Sequence, residues 1–132
     1  MDTTMAVRVR LKPLSGRYAV SRLEANEGIP GWADGPGFVS ISRTEDELSV
    51  VCLQDRVPDG VKHDTDWVAL KLQGPFAFDE TGIVLSVIRP LSENELGIFL
   101  VSTFDGDHLL VKAKDEAKAR TLLDEAGHTI TM

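Results

Sequence analysis

The sequence predicts an α+β fold, and three patterns carry that reading. The first is an internal repeat. Residues 38–50 lie over residues 99–111 without a gap, with Phe38 on Phe99, Asp46 on Asp107, Leu48 on Leu109 and Val50 on Val111. The same offset of 61 sets Val7, Val9 and Leu11 over Val68, Leu70 and Leu72. The second is strict apolar alternation in short runs bounded by turn residues, which marks half-buried strands. The third is a pair of apolar stripes at helical spacing, both in the second half of the chain. Two copies are too few for a solenoid. At 132 residues, two wholly independent cores would each be marginal.

The second copy reads element by element. Trp67–Leu72 alternates and stops at Gly74-Pro75, which predicts a strand. Ile83, Val84, Val87, Ile88 and Leu91 form one helical face. Thr81 is placed as N-cap, and Pro90 is expected to end or kink the helix. Ser92–Leu96 reads as a polar turn. Ile98–Phe104 and Leu109–Lys114 read as a hairpin about Asp105-Gly106-Asp107. Asp115 is the expected cap of a second helix with the face Ala119, Leu122, Leu123 and Ala126, closed by a left-handed Gly127. His128–Met132 supplies a last strand. The order β-α-β-β-α-β is the split βαβ, ferredoxin-like arrangement, with helices packed on one face of an antiparallel sheet.

The first copy is degenerate. Val7–Leu11 is its first strand, and Phe38–Ser42 with Leu48–Leu53 is its hairpin. Arg17–Ala25 fits a strand or a short helix. Residues 28–37 hold too much Gly and Pro for a regular helix. Gln54–Asp66 reads as a linker with at most one turn, and no counterpart of the second helix follows Leu53. These readings divide the chain into residues 1–60 and 61–132. A unit lacking its second helix and fourth strand leaves a sheet edge that a neighbour must cover.

Composition narrows the function. The formal charge of −7 and the absence of a basic stripe speak against nucleic acid. No apolar run approaches the roughly 20 residues that span a bilayer. Residues 1–6 lack the charge pattern of a signal peptide. Together these predict a cytoplasmic protein with neither membrane nor nucleic-acid partners. Cys52 alternates with Leu48 and Val50 and reads as a buried structural thiol. His63, His108 and His128 lack companions at metal-ligand spacing, so no metal or cofactor is expected. Asp105, Asp107 and His108 are the only candidates for catalysis; no nucleophile accompanies them, and no mechanistic motif occurs. Trp32, in the glycine-rich run, reads as a packing residue.

The stretch Ile98-Phe99-Leu100-Val101-Ser102-Thr103-Phe104-Asp105-Gly106-Asp107-His108-Leu109-Leu110-Val111, followed by Asp115-Glu116-Ala117-Lys118-Ala119, resembles the ACT domain. It looks like the paired ACT domains of aspartate kinases, and more so the small stand-alone tandem ACT proteins and the animal cytosolic arginine sensor. The helix Gly82–Ser92 fits the same family. The resemblance implies a non-enzymatic regulatory protein that binds a small ligand, usually an amino acid, and acts in trans on an unidentified protein partner. It also implies self-association, as a dimer. The ligand would sit against the loop from Gly74 to Ile83, with carboxylate on free amides around Thr81, Gly82 and Ile83. Asp79 or Asp105 would hold the ammonium group, Phe76 and Phe78 would wall the side chain, and Ser102, Thr103 and Phe104 would complete the site. Bland readings stand beside these. Asp79-Glu80-Thr81 is equally a helix start, Asp105-Gly106-Asp107 a plain hairpin turn, and the fold a pure oligomerisation or protein-interaction module with a vestigial pocket.

Overall fold

A computed structural model describes residues 7–73 and 82–131. Among these residues lie eight strands and two α-helices: β1 (Arg10–Pro13), β2 (Tyr18–Leu23), β3 (Ser40–Arg43), β4 (Leu48–Leu53), β5 (Lys62–Leu72), α1 (Ile83–Ser92), β6 (Ile98–Ser102), β7 (Asp107–Lys112), α2 (Glu116–Glu125) and β8 (Thr129–Ile130). The α+β class stands. By contact, the chain forms two compact units, Ser15–Val68 and Met1–Leu14 with Ala69–Met132. A cut at 60/61 follows the repeat; the compact units instead divide inside β5 and give residues 1–14 to the later half.

In the unit Ser15–Val68, β2 pairs antiparallel with β4 and with the first half of β5, and β3 pairs antiparallel with β4. The segment Arg17–Ala25 therefore holds a strand, Tyr18–Leu23, and not a helix. The presumed linker opens with a 3-10 turn, Gln54–Arg56, and its last residues, from Lys62 on, belong to β5. Lys62, His63 and Asp64 pair with Arg22, Ser21 and Val20 while staying exposed, so their polar sequence hid the strand. A bulge follows, where Asp66 adopts φ 65° and its N–H donates to Gln54 Oε1 at 2.8 Å.

Among the described residues this unit has no α-helix. Its core face is covered by the glycine-rich segment, in which Gly31–Ala33 makes a single 3-10 turn. Ala33 packs on Val50 and Cys52, with Leu23, Trp32, Ile41 and Val57 around them. Arg56 fastens this cover, donating from Nε to Trp32 O at 3.1 Å, from Nη1 to Pro36 O at 2.7 Å and from Nη2 to Ala33 O at 3.5 Å. Gly37, at φ 85°, lets the chain pass so close to Tyr18 that a Cβ would stand 2.9 Å from its hydroxyl. That hydroxyl accepts the Phe38 N–H at 2.9 Å. Cys52 is fully buried, and burial pushes its thiol pKa up against the opposing pull of Arg56.

In the other unit, β6 pairs antiparallel with β7, and β7 pairs β5. The ferredoxin-like expectation puts the last strand beside the first of its own copy. Here β1 lies between them: Leu11 pairs antiparallel with Leu72, and Leu11 also pairs parallel with Ile130 of β8. β1 starts at Arg10 rather than Val7. Val87 and Leu91 of α1 and Ala119 and Leu123 of α2 are fully buried, whereas Ala126 is exposed. The two helices touch each other, with α1 also against β6 and α2 against β7 and β8.

Pro90 does not end α1, which runs on to Ser92. Its N-cap is Gly82, at φ 81°; Thr81 lies outside the described residues. Asp115 occupies the N-cap of α2 but makes no side-chain capping bond. Gly127, at φ 96°, closes α2 as expected, with Gly127 N–H donating to Asp124 O and His128 N–H to Leu123 O at 3.0 Å each. α1 closes the same way, Glu95 N–H to Ser92 O and Leu96 N–H to Leu91 O at 3.1 Å each, but with Glu95 at φ 63° in glycine's place.

Candidate functional site

The predicted site residues fall into two described groups and one outside. Phe76, Phe78, Asp79 and Thr81 lie outside the described residues. Gly82 and Ile83 form the start of α1. Ser102 ends β6, and Thr103, Phe104 and Asp105 form the turn that follows.

Register places both described groups at the same end of the sheet. Beyond the Leu11–Leu72 pair, Gln73 N–H donates to Arg10 O at 2.8 Å, so the residues before Arg10 run on past the end of β5. Val7 lies there, and a Cβ on Gly82 would sit 3.6 Å from its Cγ2. On the other flank, a Cβ on Gly106 would meet Leu72 O at 3.2 Å. The start of α1 and the β6–β7 turn therefore both border the point where the chain leaves β5. Val7 is a neighbour the sequence did not suggest, because the repeat assigns it to the other copy.

The turn is tighter than a Gly-centred hairpin. Thr103 N–H and Oγ1–H both donate to Gly106 O, at 2.7 and 2.9 Å, and Ser102 Oγ–H donates to Asp107 Oδ1. Ser102 and Thr103 thus spend their hydroxyl protons on the turn; their oxygens still have acceptor capacity. Asp107 pairs with Ser102 as a strand residue, not a turn residue, and Phe104 is 77% exposed at the tip. His108, half-buried beside them, has its pKa lowered by burial and by Lys71, against a smaller opposing effect of Asp107.

The sequence reading placed His128 at the start of the last strand and gave it no partner. It is 3% exposed, accepts the Val9 N–H on Nδ1 at 3.0 Å and places Nε2 2.8 Å from Ser86 O. No three His, Cys, Asp or Glu side chains converge as metal ligands among the described residues. No helix among them is long and apolar enough to cross a membrane. An open cleft of about 370 Å³ lies in the unit Ser15–Val68, lined by Arg22, Leu23, Glu24, Glu27, Gly60, Val61 and Lys62. It contains no predicted site residue.

Comparison with known proteins bears on the family and the fold. A family model described as the ACT domain matches residues 62–125, and one described as an N-terminal domain matches residues 16–60. Subunit 1 of the cytosolic arginine sensor for mTORC1 from Bos taurus is 31% identical over 96 residues, covering 67% of this chain and 29% of that protein. The chain thus spans under a third of that relative's length. A crystal structure of a protein from Agrobacterium tumefaciens is 63% identical, with a TM-score of 0.92, covering 96% of this chain and 94% of that one. The regulatory subunit of aspartate kinase from Thermus flavus shares the fold at 8% identity, with a TM-score of 0.61 over 92% of this chain and 97% of that one. Residues 62–125 of the chain match the ACT-domain family.

Proposed function

We propose that this protein is a regulatory, non-catalytic binder of an α-amino acid that acts in trans on a protein partner. The observation that supports the reading is that the start of α1 and the Ser102–Asp105 turn both border the end of β5. Helix-start amides suit a carboxylate. Asp105, exposed on the turn, suits an ammonium group, and Asp79 would join it. The name of one similar protein, a cytosolic arginine sensor, supports the ligand class. On this reading residues 1–60 and 61–132 are the two copies of the duplication, and the protein works in the cytoplasm as a homo-dimer.

A thermal-shift panel of the standard amino acids tests it. A ligand at a hundred times its dissociation constant adds about 2.7 kcal/mol, enough to raise the midpoint by several degrees. Replacing both Asp79 and Asp105 with Ala should abolish the shift; undiminished affinity in that variant refutes the site. A flat panel supports the second reading, an interaction module, which the exposure of Phe104 and Leu85, 77% and 50%, favours.

A further inference from the structure

We propose that His128 is a positioning residue: its imidazole supplies the hydrogen bond that Pro90 cannot make, and so fixes the first turn of α1 against β1 and β8. In an α-helix the N–H of residue 90 would donate to the carbonyl of residue 86. Proline has no N–H, and its ring crowds that same carbonyl. The carbonyl that His128 Nε2 reaches, at 2.8 Å, is that of Ser86.

The roles of the two ring nitrogens follow from their partners. A backbone N–H can only donate, so Val9 N–H, 3.0 Å from Nδ1, requires that nitrogen to be unprotonated. The neutral ring then carries its proton on Nε2, which donates to Ser86 O. The ring is itself held by the closure of α2, where left-handed Gly127 turns the chain and His128 N–H bonds Leu123 O. On the sheet side, Thr129 N–H bonds Val9 O at 3.0 Å. One side chain thus joins the lead-in to β1, the α2–β8 junction and α1.

The pin bears on the start of α1. Ser86 N–H donates to Gly82 O at 2.9 Å and Ser86 Oγ–H to Ile83 O at 2.7 Å. Holding the Ser86 peptide therefore holds Gly82 and Ile83, whose amides face the proposed ligand. That last link rests on the function proposed above; the pin does not.

A double-mutant cycle tests it, with the wild type, H128A, P90A and H128A/P90A compared by melting midpoint and by hydrogen exchange of the Ser86 amide. H128A should lose several degrees and speed Ser86 exchange by about tenfold. In the H128A background P90A returns a backbone N–H to Ser86 O and should recover much of both losses, whereas in the wild type it should do far less. Equal effects of P90A in the two backgrounds overturn the proposal. Should H128A not fold, H128Q and H128N replace it. The first keeps a donor toward Ser86 O and should gain little from P90A; the second keeps the acceptor for Val9 N–H and should gain most. The reverse order also overturns the pin. In an amino-acid titration, H128A should weaken binding by about tenfold and P90A should restore it. If no amino acid binds the wild type, the functional reading fails, while the midpoints still decide the pin.

Discussion

The two units solve one problem, covering an apolar sheet face, with different parts. In Met1–Leu14 with Ala69–Met132, helices cover it, Val87, Leu91, Ala119 and Leu123 bring fully buried side chains, and one is pinned through His128. In Ser15–Val68 the cover is a glycine-rich segment with a single 3-10 turn, held by three bonds from one arginine. A helix satisfies its own backbone, so its cover needs apolar contacts and one outside bond at Pro90. An irregular segment leaves carbonyls over, and a guanidinium with five donors is suited to collect them. The lesson is that a segment without regular structure can be as specified as a helix when one side chain gathers its carbonyls.

The largest expected effect is on that arginine. Arg56→Met keeps the stem and removes the donors, and should cost about 2 kcal/mol, since bonds to charged groups run higher than neutral ones. Amide exchange should rise across 28–37 and stay unchanged in α1; a uniform rise would show that the cover is not local. A smaller effect of opposite sign is expected at the helix ends. Glu95 holds a left-handed position that Gly127 holds in α2, so Glu95→Gly should stabilise the protein by about 1 kcal/mol, read by denaturant midpoint. No gain would mean that the Glu95 side chain offsets its backbone strain.

The smallest effect is on pH dependence. Burial lowers the folded-state pKa of His108 below its ordinary 6.5, so the unfolded chain binds the proton more readily. The stability tied to neutral His108 is present above pH 6.5 and lost as pH falls through the lower folded value. His108→Gln should flatten that part of the stability profile, while a profile unchanged by the substitution would contradict the assignment.

Much of the second copy was legible because its elements obey one period each. Val87 and Leu91, Ala119 and Leu123, and Leu109 and Val111 all went to the core as the pattern indicated. The two hairpins the repeat pairs do correspond, but two residues off the offset of 61. Both hairpins close four-residue turns, Thr44 N–H to Glu47 O at 2.8 Å and Thr103 N–H to Gly106 O at 2.7 Å, which puts the structural offset at 59. A slip of two keeps every side chain on its face, so apolar alternation could not detect it. The first residues of β5, Lys62, His63 and Asp64, were missed because their pairing to β2 is made by backbone, while their side chains are exposed. The insertion of β1 beside β8 was missed because pattern reports which face is apolar, not which strand lies alongside. His128 was missed as a structural residue, although Pro90 inside a helical stripe was a visible signal that some donor had to reach Ser86 O. Of the candidate site, Gly82 and Ile83 were legible as a helix start and Asp105 as turn chemistry, whereas Thr103 and Phe104 read as strand and lie beyond the end of β6; the common location of the two groups required the fold.

The most direct measurement is an amide NMR titration of the full chain with the amino acid that gives the largest thermal shift. Perturbations gathered at Gly82, Ile83 and residues 102–105 are the predicted result. Perturbations confined to the Arg22 and Lys62 cleft, or none at saturating amino acid, would contradict the account.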